Sequence, residues 1–80
     1  MKIKYSKQAV KAINSMDRIT KQRIKKAIEG LPNGDIKPLR GCDSVFRLRV
    51  GAWRILFSNL TYDIILIEKI APRGEVYKGV

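Results

Sequence analysis

The sequence predicts an α+β fold in the order β-α-α-β-β-β, with a helical hairpin packed on one face of a small, antiparallel-rich sheet. Two patterns predict it. Apolar residues recur at helical spacing between Ser6 and Leu31, whereas apolar and polar residues alternate, as they do in strands, from Val45 to Val50. A chain of 80 residues has the size of one domain, so we expect a single domain over residues 1–80.

The first part of the chain predicts a strand followed by a helix. Met1 to Tyr5 is a candidate strand because its apolar side chains alternate with lysines. Ser6 is a natural N-cap, and we expect a helix from there to between Asn14 and Met16. Its inner stripe is Ala9, Val10, Ile13 and Met16.

A second helix completes the predicted hairpin. Asp17 can cap it, and Gly30 with Pro32 stops it, so that it reaches Glu29 or Gly30. Its inner stripe is Ile24, Ala27, Ile28 and Leu31. Its outer face carries Arg18, Lys21 and Lys25, which we expect to be solvated and to act on a polyanion mainly through their long-range field.

Turn-forming residues divide the rest of the chain. We expect a turn at Leu31 to Asp35, a loop from Ile36 to Asp43 and a second turn at Ser58 to Thr61. The strand from Tyr62 to Ile70 is nearly all apolar, so we expect it to be central and covered on both faces. A proline ends it, and Arg73 to Tyr77 is predicted to lie back over the sheet as a short tail.

The hairpin from Val45 to Phe57 carries the most informative pattern. Successive strand residues point to opposite faces, and Gly51-Ala52 supplies the reversal between the two strands. The apolar face comprises Phe46, Leu48, Val50, Trp53, Ile55 and Phe57. The open face carries Arg47, Arg49 and Arg54. Because a guanidinium presents a rigid donor fork to phosphate and stays charged, this face is a candidate phosphodiester site.

The overall charge agrees with an anionic partner. The chain has 17 Lys and Arg against 7 Asp and Glu, a net charge of +10 and a pI near 10.2. Such a balance favours nucleic acid, an anionic membrane surface or an acidic protein. No apolar run approaches the roughly 20 residues of a membrane-spanning helix, and the first residues have no hydrophobic segment typical of a signal peptide.

The composition also excludes several chemistries. The chain has no histidine, which removes Ser-His and Cys-His nucleophile pairs and zinc sites of ordinary composition. The acids Asp17, Asp35, Asp43 and Asp63 sit at predicted caps and turns, without metal-ligand spacing. We therefore expect no metal and no cofactor. The single Cys42 cannot form an internal disulfide, which fits a reducing cytoplasm.

Four segments together resemble the RelE/ParE superfamily of bacterial and archaeal toxins. They are KPLRG (Lys37 to Gly41), FRLRVGAWRILF (Phe46 to Phe57), IAPRGEVY (Ile70 to Tyr77) and the helical segment from Ser6 to Leu31. The resemblance implies a RelE-like fold and a toxin–antitoxin pair, in which an antitoxin silences the toxin. The RelE branch implies metal-independent cleavage of mRNA in the ribosomal A site, where the 2′-hydroxyl attacks the adjacent phosphate to give a cyclic phosphate.

By that resemblance the catalytic roles fall on Arg47, Arg49, Arg54, Arg73 and Tyr77. Arg54 and Arg73 would stabilise the phosphorane, and Arg47, Arg49 or Tyr77 would orient or deprotonate the attacking hydroxyl. Arginines stand here where lysines are familiar in the family. Arginine is a poor base, so Tyr77 is the better base candidate. Further RNA contacts are expected at Lys37, Arg40, Lys21 and Lys25.

Two other functions remain open at this point. A ParE-like inhibitor of DNA gyrase would share the fold, although such chains commonly lack the full set of arginines and tyrosine. A basic RNA-binding module without catalytic activity would explain the charge alone. The expected partners are a cognate antitoxin and, for the RelE-like function, the ribosome with its mRNA; we expect no membrane partner.

Overall fold

The computed structural model describes residues 2–31, 33–39, 44–61 and 63–72. The described residues form two helices packed on a five-stranded mixed sheet, which confirms the predicted α+β class. The elements are β1 (Lys2–Tyr5), α1 (Lys7–Asn14), α2 (Arg18–Glu29), β2 (Asp35–Pro38), β3 (Val45–Val50), β4 (Trp53–Thr61) and β5 (Ile64–Pro72).

The strands lie in the order β1-β5-β4-β3-β2. β1 runs parallel to β5, and the other neighbouring strands are antiparallel, so the sheet is antiparallel-rich as predicted. The helical hairpin provides the connection from β1 toward the opposite edge, where β2 lies. β4 is the central strand and β3 lies between it and the edge strand β2, so both strands of the arginine hairpin are internal.

Two segments predicted as a loop and a turn are strands, and β5 begins and ends later than the predicted Tyr62 to Ile70, at Ile64 and Pro72. The expected loop from Ile36 contains a strand, β2, which pairs with Phe46 to Arg49 of β3. The expected turn at Ser58 to Thr61 is the end of β4. Both segments are polar in composition, and they form strands because a neighbouring strand supplies hydrogen-bond partners for their backbone. β2 lies at the edge of the sheet, where Pro38 is tolerated although it has no amide hydrogen. The observed order is therefore β-α-α-β-β-β-β.

The helix starts are as predicted. The side chain of Ser6 accepts a hydrogen bond from the backbone nitrogen of Ala9 at 3.1 Å, and that of Asp17 accepts one from Thr20 at 3.2 Å. Each cap satisfies one of the amides left without a partner in the first turn of a helix. α1 ends at Asn14, at the short end of its expected range.

The core lies between the helical hairpin and one face of the sheet. Its most deeply buried large side chains are Ile24, Ile28, Leu48, Ile55, Ile67 and Ile70. Val10 was expected in the inner stripe but is 45% exposed, because it lies in a shallow groove beside Tyr5 and Ile13 at the margin of the core. Among the described residues, neither helix has the length and apolar composition needed to span a membrane.

β5 is covered more fully on one face than on the other. Ile65 and Ile67 are buried under the helices, whereas Ile64 and Leu66 are half-buried. The strand lies between β1 and β4, so it is internal as predicted, but its second face is only partly covered. That second face of the sheet is continuous with the arginines of β3 and β4.

Candidate nucleic-acid interface

Strand register brings the three hairpin arginines onto one face. Arg49 of β3 is directly opposite Arg54 of β4, and Asp35 of β2 is opposite Arg49 on the other side. Directly paired residues place their side chains on the same face of a sheet. Arg47, two residues before Arg49, belongs to the neighbouring row on that face, opposite Leu56.

Two lysines lie in the same row of paired residues as Arg47. Lys37 is paired with Arg47, and Lys69 of β5 is paired with Leu56. We call the surface formed by Lys37, Arg47, Arg49, Arg54 and Lys69 the arginine face. Lys69 was not singled out from the sequence, where its only signal is that it interrupts the apolar run of β5.

Arg47 is largely enclosed on the arginine face. Its side chain is 15% exposed, and its Nη2 lies 3.4 Å from Oδ1 of Asp35. Its Nε is buried and has no hydrogen-bond partner among the described residues. A buried donor without an acceptor is unfavourable in a folded protein, so Nε is a position where an acceptor from outside the chain would be stabilised.

Arg54 is fixed against the turn between β3 and β4. Its Nη1 donates to the carbonyl oxygens of Gly51 at 2.8 Å and of Trp53 at 3.0 Å. Gly51 has a φ of 58°, the left-handed conformation that glycine adopts without strain. From the other side of the turn, Nη2 of Arg23 on α2 comes within 3.3 Å of the position that a Cβ of Gly51 would occupy.

A small apolar cluster lies within the arginine face. Leu56 and Ala71 are buried there, and Leu39 and Val45 pack against them. The cluster is separate from the core under the helices and was not predicted. Because apolar surroundings reduce local screening, interactions between the guanidiniums and an anion are stronger over such a floor than in bulk water.

The structure brings together some of the predicted site residues. Arg47, Arg49 and Arg54 share the arginine face, together with Lys37. Lys21 and Lys25 lie on α2, which packs on the opposite face of the sheet, and Lys25 borders the groove beside Tyr5. The three remaining predicted residues, Arg40, Arg73 and Tyr77, lie outside the described residues. Within the described ranges, no three Asp, Glu or Cys side chains are grouped as metal ligands.

Comparisons with known proteins agree on one family. No family model matches the chain. RelE1 of Methanocaldococcus jannaschii is 32% identical over 85 residues, covering 96% of this chain and 94% of that protein. Toxin RelE3 of the same organism is 29% identical over 85 residues, covering 96% of each.

A solved structure extends this similarity to the fold. It is a RelB–RelE antitoxin–toxin complex from Methanococcus jannaschii, with a TM-score of 0.74 and 26% identity, and the match covers 96% of this chain and 98% of that chain. Sequence identity along nearly the whole length of each relative, together with the shared two-helix, five-strand architecture, shows that this chain belongs to the RelE family of toxins from toxin–antitoxin systems.

Proposed function

We propose that the protein is an endoribonuclease that cleaves mRNA on the ribosome without a metal ion, and that the arginine face holds the scissile phosphate. The observation that carries the proposal is the convergence of Arg47, Arg49 and Arg54 on one open sheet face. Nε of Arg47 is also a buried donor with no acceptor among the described residues. A face of this kind is suited to a phosphodiester, whose oxygens are strong acceptors.

In the proposed reaction the RNA supplies its own nucleophile. The 2′-oxygen attacks the neighbouring phosphorus and loses its proton to a base, while the bond from phosphorus to the 5′-oxygen breaks and that oxygen takes up a proton. The products are a 2′,3′-cyclic phosphate and a free 5′-hydroxyl. Arg54 and Arg73 stabilise the additional negative charge on the phosphoryl oxygens, and Arg47 and Arg49 orient the reacting groups.

The base in this scheme is Tyr77. Arginine stays protonated throughout the accessible pH range and does not accept the proton of the 2′-hydroxyl. A tyrosine close to several guanidiniums is a better candidate, because positive neighbours favour its ionised form. With weak acid–base groups, most of the rate must come from orientation of the RNA by the ribosome and from electrostatic stabilisation.

A cognate antitoxin is the second proposed partner. The solved relative is a RelB–RelE complex, which supports a comparable complex for this chain. A net charge of +10 favours an antitoxin segment that carries acidic residues, since complementary charge speeds association. Such a segment would also compete with RNA if it covers part of the arginine face.

Primer extension on a translated message in a purified translation system tests the proposal. We expect wild-type protein to cut the message, and the downstream fragments to be labelled directly by polynucleotide kinase because they carry a 5′-hydroxyl. Arg54→Gln should lower the cleavage rate by about 100-fold or more, since it removes a donor to the developing charge. Arg18→Gln, which makes the same change on the exposed outer face of α2, should cleave within about twofold of wild type.

Other outcomes would point to the alternative functions. Gyrase-dependent DNA breaks without cleavage of the message would indicate a ParE-like toxin. Salt-sensitive RNA binding with neither cleavage nor growth arrest would indicate a non-catalytic binding module. In the same translation reaction, an excess of cognate antitoxin should abolish cleavage; full cleavage in its presence would contradict the proposed partner.

A further inference from the structure

Asp35 occupies half of the guanidinium edge that a phosphate would use on Arg47. An arginine commonly binds a carboxylate or phosphate through two parallel N–H donors, and Nε with Nη2 forms one such edge. In this structure Oδ1 of Asp35 contacts Nη2 alone, at 3.4 Å, and Nε has no partner among the described residues. The carboxylate and the guanidinium are therefore in contact without forming the bidentate pair.

The position of Asp35 in the sheet accounts for this partial contact. Its register partner on β3 is Arg49, whereas Arg47 is paired with Lys37. The side chain of Asp35 consequently reaches Arg47 diagonally along the face. Diagonal neighbours are farther apart than direct partners, which is consistent with a single long contact.

The two partners differ in how easily they can separate. The side chain of Asp35 is 52% exposed, so it can turn into water without becoming a buried, unpaired charge. The side chain of Arg47 is 15% exposed and lies in the middle of the arginine face. An incoming anion would meet a guanidinium that stays in place and a carboxylate that is free to leave.

We propose that Asp35 is an intramolecular competitor for phosphate at Arg47. In the free protein its carboxylate holds Nη2. When RNA binds, a phosphate displaces the carboxylate from Nη2, and the departure of the carboxylate makes the buried Nε available as the second donor. The competition weakens RNA binding, because the ion pair is lost on binding and because the carboxylate repels the phosphate. This inference rests on the proposed function, since it requires RNA phosphate at the arginine face.

Asp35→Asn tests the competition, because asparagine keeps the shape of the side chain and removes its charge. Asp63→Asn is the matched control: it makes the same charge change in the turn between β4 and β5, where Asp63 contacts Thr61 at 3.3 Å. The probe is a fluorescent single-stranded RNA octamer with 2′-O-methyl riboses, which cannot be cleaved by 2′-hydroxyl attack. Binding is measured by anisotropy at about 50 mM salt, where phosphate contacts are strong.

We expect Asp35→Asn to bind the octamer about three- to tenfold more tightly than wild type, and Asp63→Asn to bind within about twofold. In the Arg47→Gln background, Asp35→Asn should give no gain beyond that of the control. Equal affinities for the two Asp→Asn variants, weaker binding by Asp35→Asn, or a gain that persists without Arg47 would each overturn the proposal.

The same measurements separate this inference from the proposed function. If Arg47→Gln and Arg49→Gln bind the octamer as tightly as wild type, or if wild type does not bind it, the arginine face is not the RNA site. If both variants bind weakly but Asp35→Asn matches the control, only the competition is wrong. Urea unfolding of each variant verifies that the affinities compare folded proteins.

Discussion

Tyr5 is a residue at which burial and charge act in the same direction. Burial, and secondarily the negative charge of Glu29, raise the pKa of the Tyr5 hydroxyl above its usual value. The folded state therefore disfavours the phenolate more than the unfolded state does. A raised folded-state pKa contributes stability that is fully present below the unfolded pKa and is lost as the pH rises through the folded pKa.

This linkage predicts an alkaline loss of stability that depends on Tyr5. Between about pH 9 and 11, the free energy of unfolding of wild type should fall more steeply than that of Tyr5→Phe, which has no hydroxyl to ionise. Urea unfolding at several pH values measures both slopes. Parallel slopes for the two proteins over this range would show that the hydroxyl has the same pKa in the folded and unfolded states.

At the scale of elements, side chains at the junction between β1 and α1 bond the backbone of β5 beyond the point where β1 ends. The last register pair of β1 and β5 is Tyr5 with Ile67, and the backbone nitrogen of Ser6 still donates to the carbonyl of Ile67 at 2.9 Å. Beyond it, the hydroxyl of Ser6 donates to the carbonyl of Glu68 at 2.7 Å. The amide of Gln8 then both donates to and accepts from the backbone of Ile70, at 3.1 and 3.0 Å. α1 is thereby attached to the sheet through its first turn.

Ser6 is expected to be the more critical of two helix-terminal serines. Ser6→Ala removes both the N-cap of α1 and the bond to Glu68, so it should lower the free energy of unfolding by about 1–2 kcal/mol. Ser15→Ala is the matched control, because Ser15 lies at the exposed C-terminal end of α1, where its hydroxyl donates to the carbonyl of Ala12 at 2.8 Å. It should change stability by less than about 0.5 kcal/mol. Equal losses in urea unfolding would contradict a special role for Ser6.

Elements with a strong local sequence pattern could be predicted. Strand segments that lack such a pattern, and that form because a neighbouring strand pairs with them, could not. The alternation of Val45 to Val50 and the caps at Ser6 and Asp17 depend on neighbouring residues, and the structure has them where they were expected. β2 has four residues, of which only Ile36 is half-buried, so its alternation is too short to recognise. The polar end of β4 is a strand because β5 pairs along it, across register shifts that its own sequence does not indicate.

At the scale of the whole molecule, the candidate site also has a part that local pattern predicts and a part that depends on strand pairing. Strand alternation was sufficient to predict that Arg47, Arg49 and Arg54 share a face. The register that places Asp35 near Arg47 depends on β2, which was not predicted, so this ion pair was not foreseen. The helix lysines lie across the sheet from the arginines, because the inner stripes of both helices cover the apolar face.

If the proposed function is correct, this arrangement separates positive charges that contact RNA at the arginine face from those that act on RNA only at a distance. For single-stranded nucleic acid, the logarithm of the binding constant falls with the logarithm of salt concentration by about 0.7 per phosphate contacted. Arg49→Gln should therefore weaken binding of the octamer and make the salt dependence shallower by about 0.7. Arg18→Gln removes the same charge from the far side of the molecule, and should weaken binding only slightly with nearly the same salt dependence.

Anisotropy titrations of wild type and both variants over a series of salt concentrations measure these slopes. An equal decrease in the salt dependence of binding in the two variants would mean that net charge alone drives binding, because the position of the charge on the surface would then have no effect. A larger loss for Arg18→Gln than for Arg49→Gln would move the RNA contacts to the helices. Only a loss confined to Arg49→Gln agrees with phosphate bound on the open face of the sheet.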